Sequence, residues 1–483
     1  MIYRALKTHC CRHLLLFLPL LIAGTFFTQS STAQVLNVYN TNTMEKLLDS
    51  NKTYPVNTQP RKKYFWRASG QLMLAQVIPW SYNKFVRKAE FANISFSSIW
   101  HNLQFSNWVW DDNNFNTNQF AHPYHGNLYF NSFRTNGYNF WASSAAAFAG
   151  SFIWETCGET HPAAPNDLIN TSLGGIALGE MTYRLAQRIV NNRKKGFSRH
   201  TQEVSGFLVN PMNGFSRIID GKWAKAHDAD PYENAPVAFM VDAGGRRAGM
   251  RLKDVVERGD NQFYARIRLL YGNPFSDYQK PFSNFSVLAE LGADDSSSLN
   301  VLQVNGNLYG KKLAGSARSR NFFSVNMNYD YYKNARLNYG AQSFSANYFS
   351  DKQLGRRSGL QLSAGAGIVA LAAVPNKYVY FGEGRNYDYG PGLNLSGGVG
   401  LNIANKLYYN LAYRGAWFKT INGEKSDYYL HTTTMELRLA LGKYFSAGME
   451  AGLFQLVGNY RDYPDVNDEY PFGRLFVGYR VVF

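Results

Sequence analysis

Two histidines three residues apart, His122 and His125, are followed by Glu155, Glu159, His161, Asp167 and Glu180. Imidazole and carboxylate groups gathered in this way could ligate a transition metal, or act as acid and base in an attack on a phosphate or an acyl ester. The spacing itself argues for less. His-Pro-Tyr-His is not a zinc-ligand spacing, and the chain contains neither H-E-x-x-H nor G-x-S-x-G, so neither a metal nor a cofactor is expected. The plainer role is structural: His122 with Pro123 fixes a turn, while Asp167 and Asn170 cap and cross-link helices. Arg134, Asn136 and Asn139 read the same way, as hydrogen-bonded links between small-residue helices. His122, His125, Glu155, Glu159 and Asp167 are therefore weak catalytic candidates, and enzymatic activity is not the first expectation.

Residues 61–234 must position these groups, and their texture is helical. Tyr64 to Val86 reads as an amphipathic helix that Pro79 kinks or ends, and Trp-rich Ser97 to Trp110 reads as a second helix at an interface. Leu128 to Cys157 continues in helical style. A further helix starts after Pro165, capped by Asn166 or Asp167, and runs from Leu168 to Val190. Gly175 and Gly179 lie one turn apart on it. Together with the ladder Ser143, Ala147 and Ser151 on the preceding helix, they predict a tightly packed helical hairpin. None of these stretches is a convincing inner-membrane span, which suits a chain destined for the outer membrane.

After Asn234 the period changes from helical to two. Phe263, Ala265, Ile267, Leu269 and Tyr271 alternate with Arg266 and Arg268, and Met435, Leu437, Leu439 and Leu441 alternate with Glu436 and Arg438. About twelve such segments fill residues 235–483, separated by Gly, Asn, Asp, Pro or Lys clusters. A mainly β chain results, with a C-terminal transmembrane antiparallel barrel of about twelve strands behind an α-helical periplasmic or plug domain. Arg266, Arg268, Glu290, Arg414, Glu436, Arg438, Glu450 and Arg480 fall on the inward register, where they form a salt-bridged plug or line a pore. The terminal strand ends on Leu475, Val477, Tyr479, Val481 and Phe483 in one outward register. Its Tyr479 and Phe483 resemble the C-terminal signal read by the barrel-assembly machinery of bacterial outer membranes.

The other end of the chain agrees with export. Arg4, Lys7 and Arg12 precede an apolar run from Leu14 to Phe27, and Ser31-Thr32-Ala33 offers a cleavage site, so residues 1–33 read as a signal peptide and 34–60 as a linker. Cys10 and Cys11 leave with it, and Cys157 alone cannot form an internal disulfide. Aromatic residues make up 16% of the chain, a share that fits a lipid-facing barrel wall. The formal charge of +16, in an exported chain without a nucleic-acid motif, points to anionic lipid headgroups or acidic glycans as partners.

Several separated blocks occur in order: H-P-Y-H-G-N-L-Y at 122–129, R-T-N-G at 134–137, N-F-W at 139–141, W-E-x-x-G-E ending at Glu159, N-D-L-I-N-T-S-L-G-G-I-A-L-G-E at 166–180 and N-P-M-N-G-F-S-R at 210–217. Over Arg61 to Asp220 they resemble the bacterial family called domain of unknown function 3943. The run carries His125 where a Gln is the half-expected variant, so no role particular to His125 follows from the resemblance. The family implies location and domain layout and supplies no reaction.

These readings favour a non-enzymatic outer-membrane protein whose helical domain binds a lipid, a glycan or a partner protein at the periplasmic side. The alternatives are a small-solute channel and a lipid-modifying enzyme using His122 and Asp167.

Overall fold

The computed structural model describes residues 62–226 and 235–482, apart from short stretches at 250–251, 258, 276–277, 279, 293–297, 335–336, 381 and 383. The apolar leader, its cleavage site at Ala33 and Phe483 of the assembly signal lie outside the described residues.

Twelve antiparallel strands close on themselves: β1 (Val237–Ala248), β2 (Asp260–Tyr271), β3 (Phe285–Gly292), β4 (Leu299–Ser316), β5 (Ser319–Lys333), β6 (Asn338–Gly355), β7 (Ser358–Pro375), β8 (Tyr387–Ile403), β9 (Leu407–Lys419), β10 (Ser426–Ala440), β11 (Phe445–Tyr460) and β12 (Val466–Val482). Each pairs with its neighbour in sequence, and β1 closes the ring on β12 with Val241 opposite Tyr479. Closure leaves no edge strand, which is the condition for crossing a bilayer with β-structure. Period-two patterning had located every strand, although β4 runs on to Ser316 and β12 begins at Val466, earlier than its patterning suggested.

The two registers of the wall separate cleanly. Ile368, Leu393, Leu395, Leu475, Val477 and Tyr479 are exposed on the outside. Inside, Asp242 accepts from Arg268 at 2.8 Å, from Arg438 at 2.8 Å and from Arg266 at 3.3 Å. Glu436 lies 3.1 Å from Arg266 and 3.0 Å from Arg438, Glu450 pairs with Arg266 and Arg474, and Glu290 receives Arg246 at 2.8 Å and Arg474 at 2.9 Å. Contacts between distant strands close the lumen. Arg414 on β9 reaches Asp330 on β5 at 3.3 Å, and the rings of Tyr332 on β5 and Phe454 on β11 lie 6.1 Å apart. Arg480 shares the inward register, paired with the buried Met240, and hydrogen-bonds Tyr408. Of the two inward arrangements expected, the salt-bridged filling is the one present.

Among the described residues, eight α-helices precede the barrel: α1 (Phe65–Ser81), α2 (Phe96–Asn102), α3 (His122–Arg134), α4 (Phe140–Ile153), α5 (Pro165–Ile169), α6 (Gly175–Ile189), α7 (Phe197–Val209) and α8 (Pro211–Ile219). They do not plug the lumen. Their barrel contacts fall on the outward register, because Tyr387 and Tyr389 share parity with exposed Leu393 and Leu395, and Tyr329 and Tyr331 flank inward Asp330. Phe115 packs on Tyr331 and Tyr387, Trp110 on Tyr389, and Phe140 on Phe282 of the β2–β3 connection. The block spans the wall from one end to the other: Arg188 donates to the Ala235 carbonyl at the end where β1 begins, and Asn113 bridges to Gly384 in the β7–β8 connection at the opposite end. A helical domain lying beneath the barrel is thus replaced by one lying beside it. The reason is chemical: the lumen is already filled by charged side chains, whereas the outer wall of β3 to β8 offers an apolar face.

Inside the helical block the close approach differs from the expected hairpin. Gly175 and Gly179 face α3, not α4. A Cβ on Gly175 would come within 2.4 Å of the Gly126 backbone, and one on Gly179 within 2.6 Å of the Phe130 ring. Gly126 is the missing counterpart, since its own Cβ would meet the Thr171 carbonyl. Glu180 ties the same pair together by accepting from Arg134 at 2.6 Å and Arg184 at 2.8 Å.

Candidate functional site

Three π-helical turns set the register of the site. One, Thr117–Ala121, leads into α3 and presents His122; a second, Trp154–Gly158, follows α4 and carries Glu155; the third, Asn170–Gly174, joins α5 to α6 just after Asp167. A π-turn adds a residue to the helical repeat and so re-aims the side chains around it, a device common at functional sites. Here it brings three residues distant in sequence together. One ligand-type atom from each of His122, Glu155 and Asp167 lies within 4.8 Å of the other two, and His122 Nε2 is 3.7 Å from Asp167 Oδ1.

Around this trio the polar groups are ordered. Asn166 donates to Asp167 Oδ1 at 2.8 Å and to the Tyr389 hydroxyl at 3.2 Å, and its own oxygen accepts the Asp111 N–H at 2.9 Å. Asp111 in turn accepts from Asn118 and Asn113, and Asn118 also donates to the Tyr387 hydroxyl at 2.9 Å. Glu155 Oε2 accepts the Ala164 N–H at 3.0 Å, and His122 Nδ1 lies 3.3 Å from the Thr171 hydroxyl. Glu155 Oε1 and Asn118 Oδ1 stay buried without a partner, as do Asn170 Oδ1 and Ser172 Oγ on the third π-turn.

The electrostatics follow from crowding carboxylates away from water. Burial, then the charge of Asp167, pushes the Glu155 carboxyl up to about 8, with His122 and the Ala164 N–H acting in the other direction. Burial and Asp111 raise Asp167 well above the ordinary carboxylate range, and burial, Glu155 and Asp167 do the same to Glu159. No arginine or lysine is among the groups acting on these three.

Two structural expectations fail at this point. Neither Asn166 nor Asp167 caps a helix, because the N-cap of α5 is Ala164 and both side chains are spent on each other, on Asp111 and on barrel tyrosine. Nor do His122 and Pro123 make a turn, since helical backbone from Phe115 continues through the π-turn into α3 and Pro123 lies within it. His125 stands apart from the trio: its Nε2 lies 2.8 Å from the Ala75 carbonyl, its ring contacts Tyr129 and Trp154, and burial lowers it to about 4. Glu159 and His161 meet Asn102 through their backbone carbonyls.

Asp111, Asn118, Tyr387 and Tyr389 escaped the sequence reading. The D-D-N-N run at 111–114 was a signal, since four polar residues between aromatic stretches need partners. Nothing local in β8 marks its two tyrosines as buried. In the lumen the corresponding omission is Asp242, an isolated acid in the inward register of β1.

No curated protein matches the chain. Among solved structures, the NanC porin shares 9% identity over 50% of this chain and 98% of its own, with a TM-score of 0.29. The KdgM porin shares 13% over 50% and 98%, at 0.23, and the outer membrane channel DcaP of Acinetobacter baumannii 9% over 51% and 96%, at 0.25. The closure of twelve strands rests on this chain's own hydrogen-bond ladder. Residues 107–212, which hold His122, Glu155 and Asp167, match the family model described as domain of unknown function (DUF3943).

Proposed function

We propose that this chain is an outer-membrane protein whose closed barrel serves as an anchor and whose helical domain, docked on the outside of the wall, engages membrane lipid. One observation carries the reading: the helices cover part of the wall's outward apolar register and replace it with an apolar surface of their own. Trp66, Leu74 and Ile78 of α1, Phe96 and Trp100 of α2, Trp141 and Phe148 of α4, and Phe215 and Ile219 of α8 are all exposed. Large apolar surfaces facing water are costly, whereas beside a lipid-facing barrel they extend its belt. No described helix is long and apolar enough to cross a membrane, so the strands span and the helices lie against them.

The lumen argues against steady conduction. A cavity of about 80 Å³ lined by Asn305, Asn328 and Arg414 together with apolar Val304, Leu430 and Phe454 has room for a few waters. Channel function would require parting Arg414 from Asp330.

The test uses the full chain in liposomes. Phospholipids brominated on their acyl chains should quench tryptophan fluorescence, and Trp66→Phe and Trp100→Phe should each remove part of that quenching. Quenching by iodide alone would put the helical surface in water and overturn the reading. In planar bilayers we expect no steady conductance, and a stable open level would favour a channel.

A further inference from the structure

We propose that His122, Glu155 and Asp167 form a binding site for a divalent transition-metal ion of the zinc or manganese class. The inference does not depend on lipid contact by the helical surface, since it rests on side chains inside the helical block. Ligand atoms about 2.1 Å from zinc stand roughly 3.4 Å apart in a tetrahedron. The 3.7 Å from His122 Nε2 to Asp167 Oδ1 is already close to that spacing, and the 4.8 Å bound on all three lets Glu155 close in on the same ion by side-chain adjustment.

A second observation points to the same ligand. Glu155 is 1% exposed, and while its Oε2 is held by the Ala164 N–H, its Oε1 has no hydrogen-bond partner. A buried carboxylate oxygen left without a donor takes up a proton or a cation, and among the described residues no arginine or lysine is placed to supply the charge. The ligands are also held from behind. A ring N–H given by His122 Nδ1 to Thr171 leaves the Nε2 lone pair free, and Asn166 fixes Asp167. Two carboxylates and a neutral imidazole match the charge of a divalent ion. One nitrogen beside two oxygens favours zinc or manganese over calcium or magnesium, which take oxygen ligands. Three protein ligands leave a coordination position for water or a substrate oxygen, as in catalytic sites.

The experiment strips the full-length protein in detergent with a chelator and titrates it with Zn2+ and, separately, Mn2+. We expect about one equivalent of at least one of them to survive gel filtration and to raise the thermal midpoint. Glu155→Gln and Asp167→Asn should each weaken binding at least tenfold while heat-modifiable migration of the barrel stays that of the wild type. Co2+ gives a readout that needs no variant, because a site of low coordination number produces a strong visible absorption. A wild-type protein that retains neither ion and develops no Co2+ band would overturn the proposal. Equal affinity in the wild type and both folded variants would do the same.

Discussion

The molecule holds two buried clusters of charge, and they are built on opposite principles. In the lumen four carboxylates face arginine: Asp242 meets three, Glu436 three, and Glu290 and Glu450 two each. In the helical domain Glu155 and Asp167 face each other, Asp111 and one histidine. The first cluster pairs each of its acids with at least two arginines, and its ion pairs join strands that are not neighbours in the ring. The second holds acids that burial and one another push toward the protonated form, with an oxygen left unpartnered. A cluster whose acids are all paired with arginine serves the fold, while one whose acids lack a cation and are still held in register marks a place where something else binds.

The largest expected effect tests the first half of this contrast. Asp242→Ala leaves Arg266, Arg268 and Arg438 without the acid they share, and removing one partner of a buried ion network costs about 3 to 5 kcal/mol. The urea midpoint of barrel unfolding should fall accordingly. A change under about 1 kcal/mol would mean that water reaches the network and that the lumen is open.

Acid should separate the two regions next. The folded-state pKa of His125, about 4, lies below its ordinary 6.5, so between these values the unfolded chain binds more protons. Stability from the neutral ring is complete above pH 6.5 and is lost as pH falls toward 4, by at most about 3 kcal/mol. The raised carboxyls of Glu155, Asp167 and Glu159 act the other way and gain stability as pH falls, so His125→Gln should make the helical domain tighten more on acidification than the wild type does. Limited proteolysis across pH 4 to 7 measures it.

How far the sequence disclosed these regions also differs between them. A strand shows its faces at every second residue, so the inward arginines and glutamates of β2, β10 and β11 were legible one by one. Asp242 was not, because a single acid among Phe239, Met240, Val241 and Ala243 gives no alternation to follow. In the helical block, the π-turns rotate each following segment by about one residue, and no composition signal announces them. That is why Gly175 and Gly179 were recognised as a close-packing surface but assigned to α4 instead of α3. His122, Glu155 and Asp167 were picked out by type, yet their convergence depends on those turns. The Tyr387 and Tyr389 contacts depend on docking across some 220 to 270 residues.

The packing assignment has its own test. Gly175→Leu drives a side chain into the Gly126 backbone, which cannot move without shifting α3, whereas Gly179→Leu meets the Phe130 ring. We expect costs of about 1 to 3 kcal/mol, larger at Gly175, with protease-sensitive helices on an intact barrel. Equal sensitivity, or greater sensitivity at Gly179, would mean that the two backbones are not in contact.

The smallest effect is the most discriminating, because its sign should reverse between the clusters. Glu436→Gln removes a charge that three arginines hold, so it should destabilise the barrel in any buffer. Glu155→Gln removes a charge that burial and Asp167 oppose, while its amide oxygen can still accept the Ala164 N–H. In chelator this variant should be more stable than the wild type, by about 1 kcal/mol, since the desolvated carboxylate is gone. With the metal present the order should invert, because the wild type alone gains binding energy. Thermal melts of both variants with and without chelator give four comparisons. A Glu155→Gln protein that melts lower than wild type in chelator would show that the chain itself stabilises this carboxylate, and the two clusters would then be of one kind.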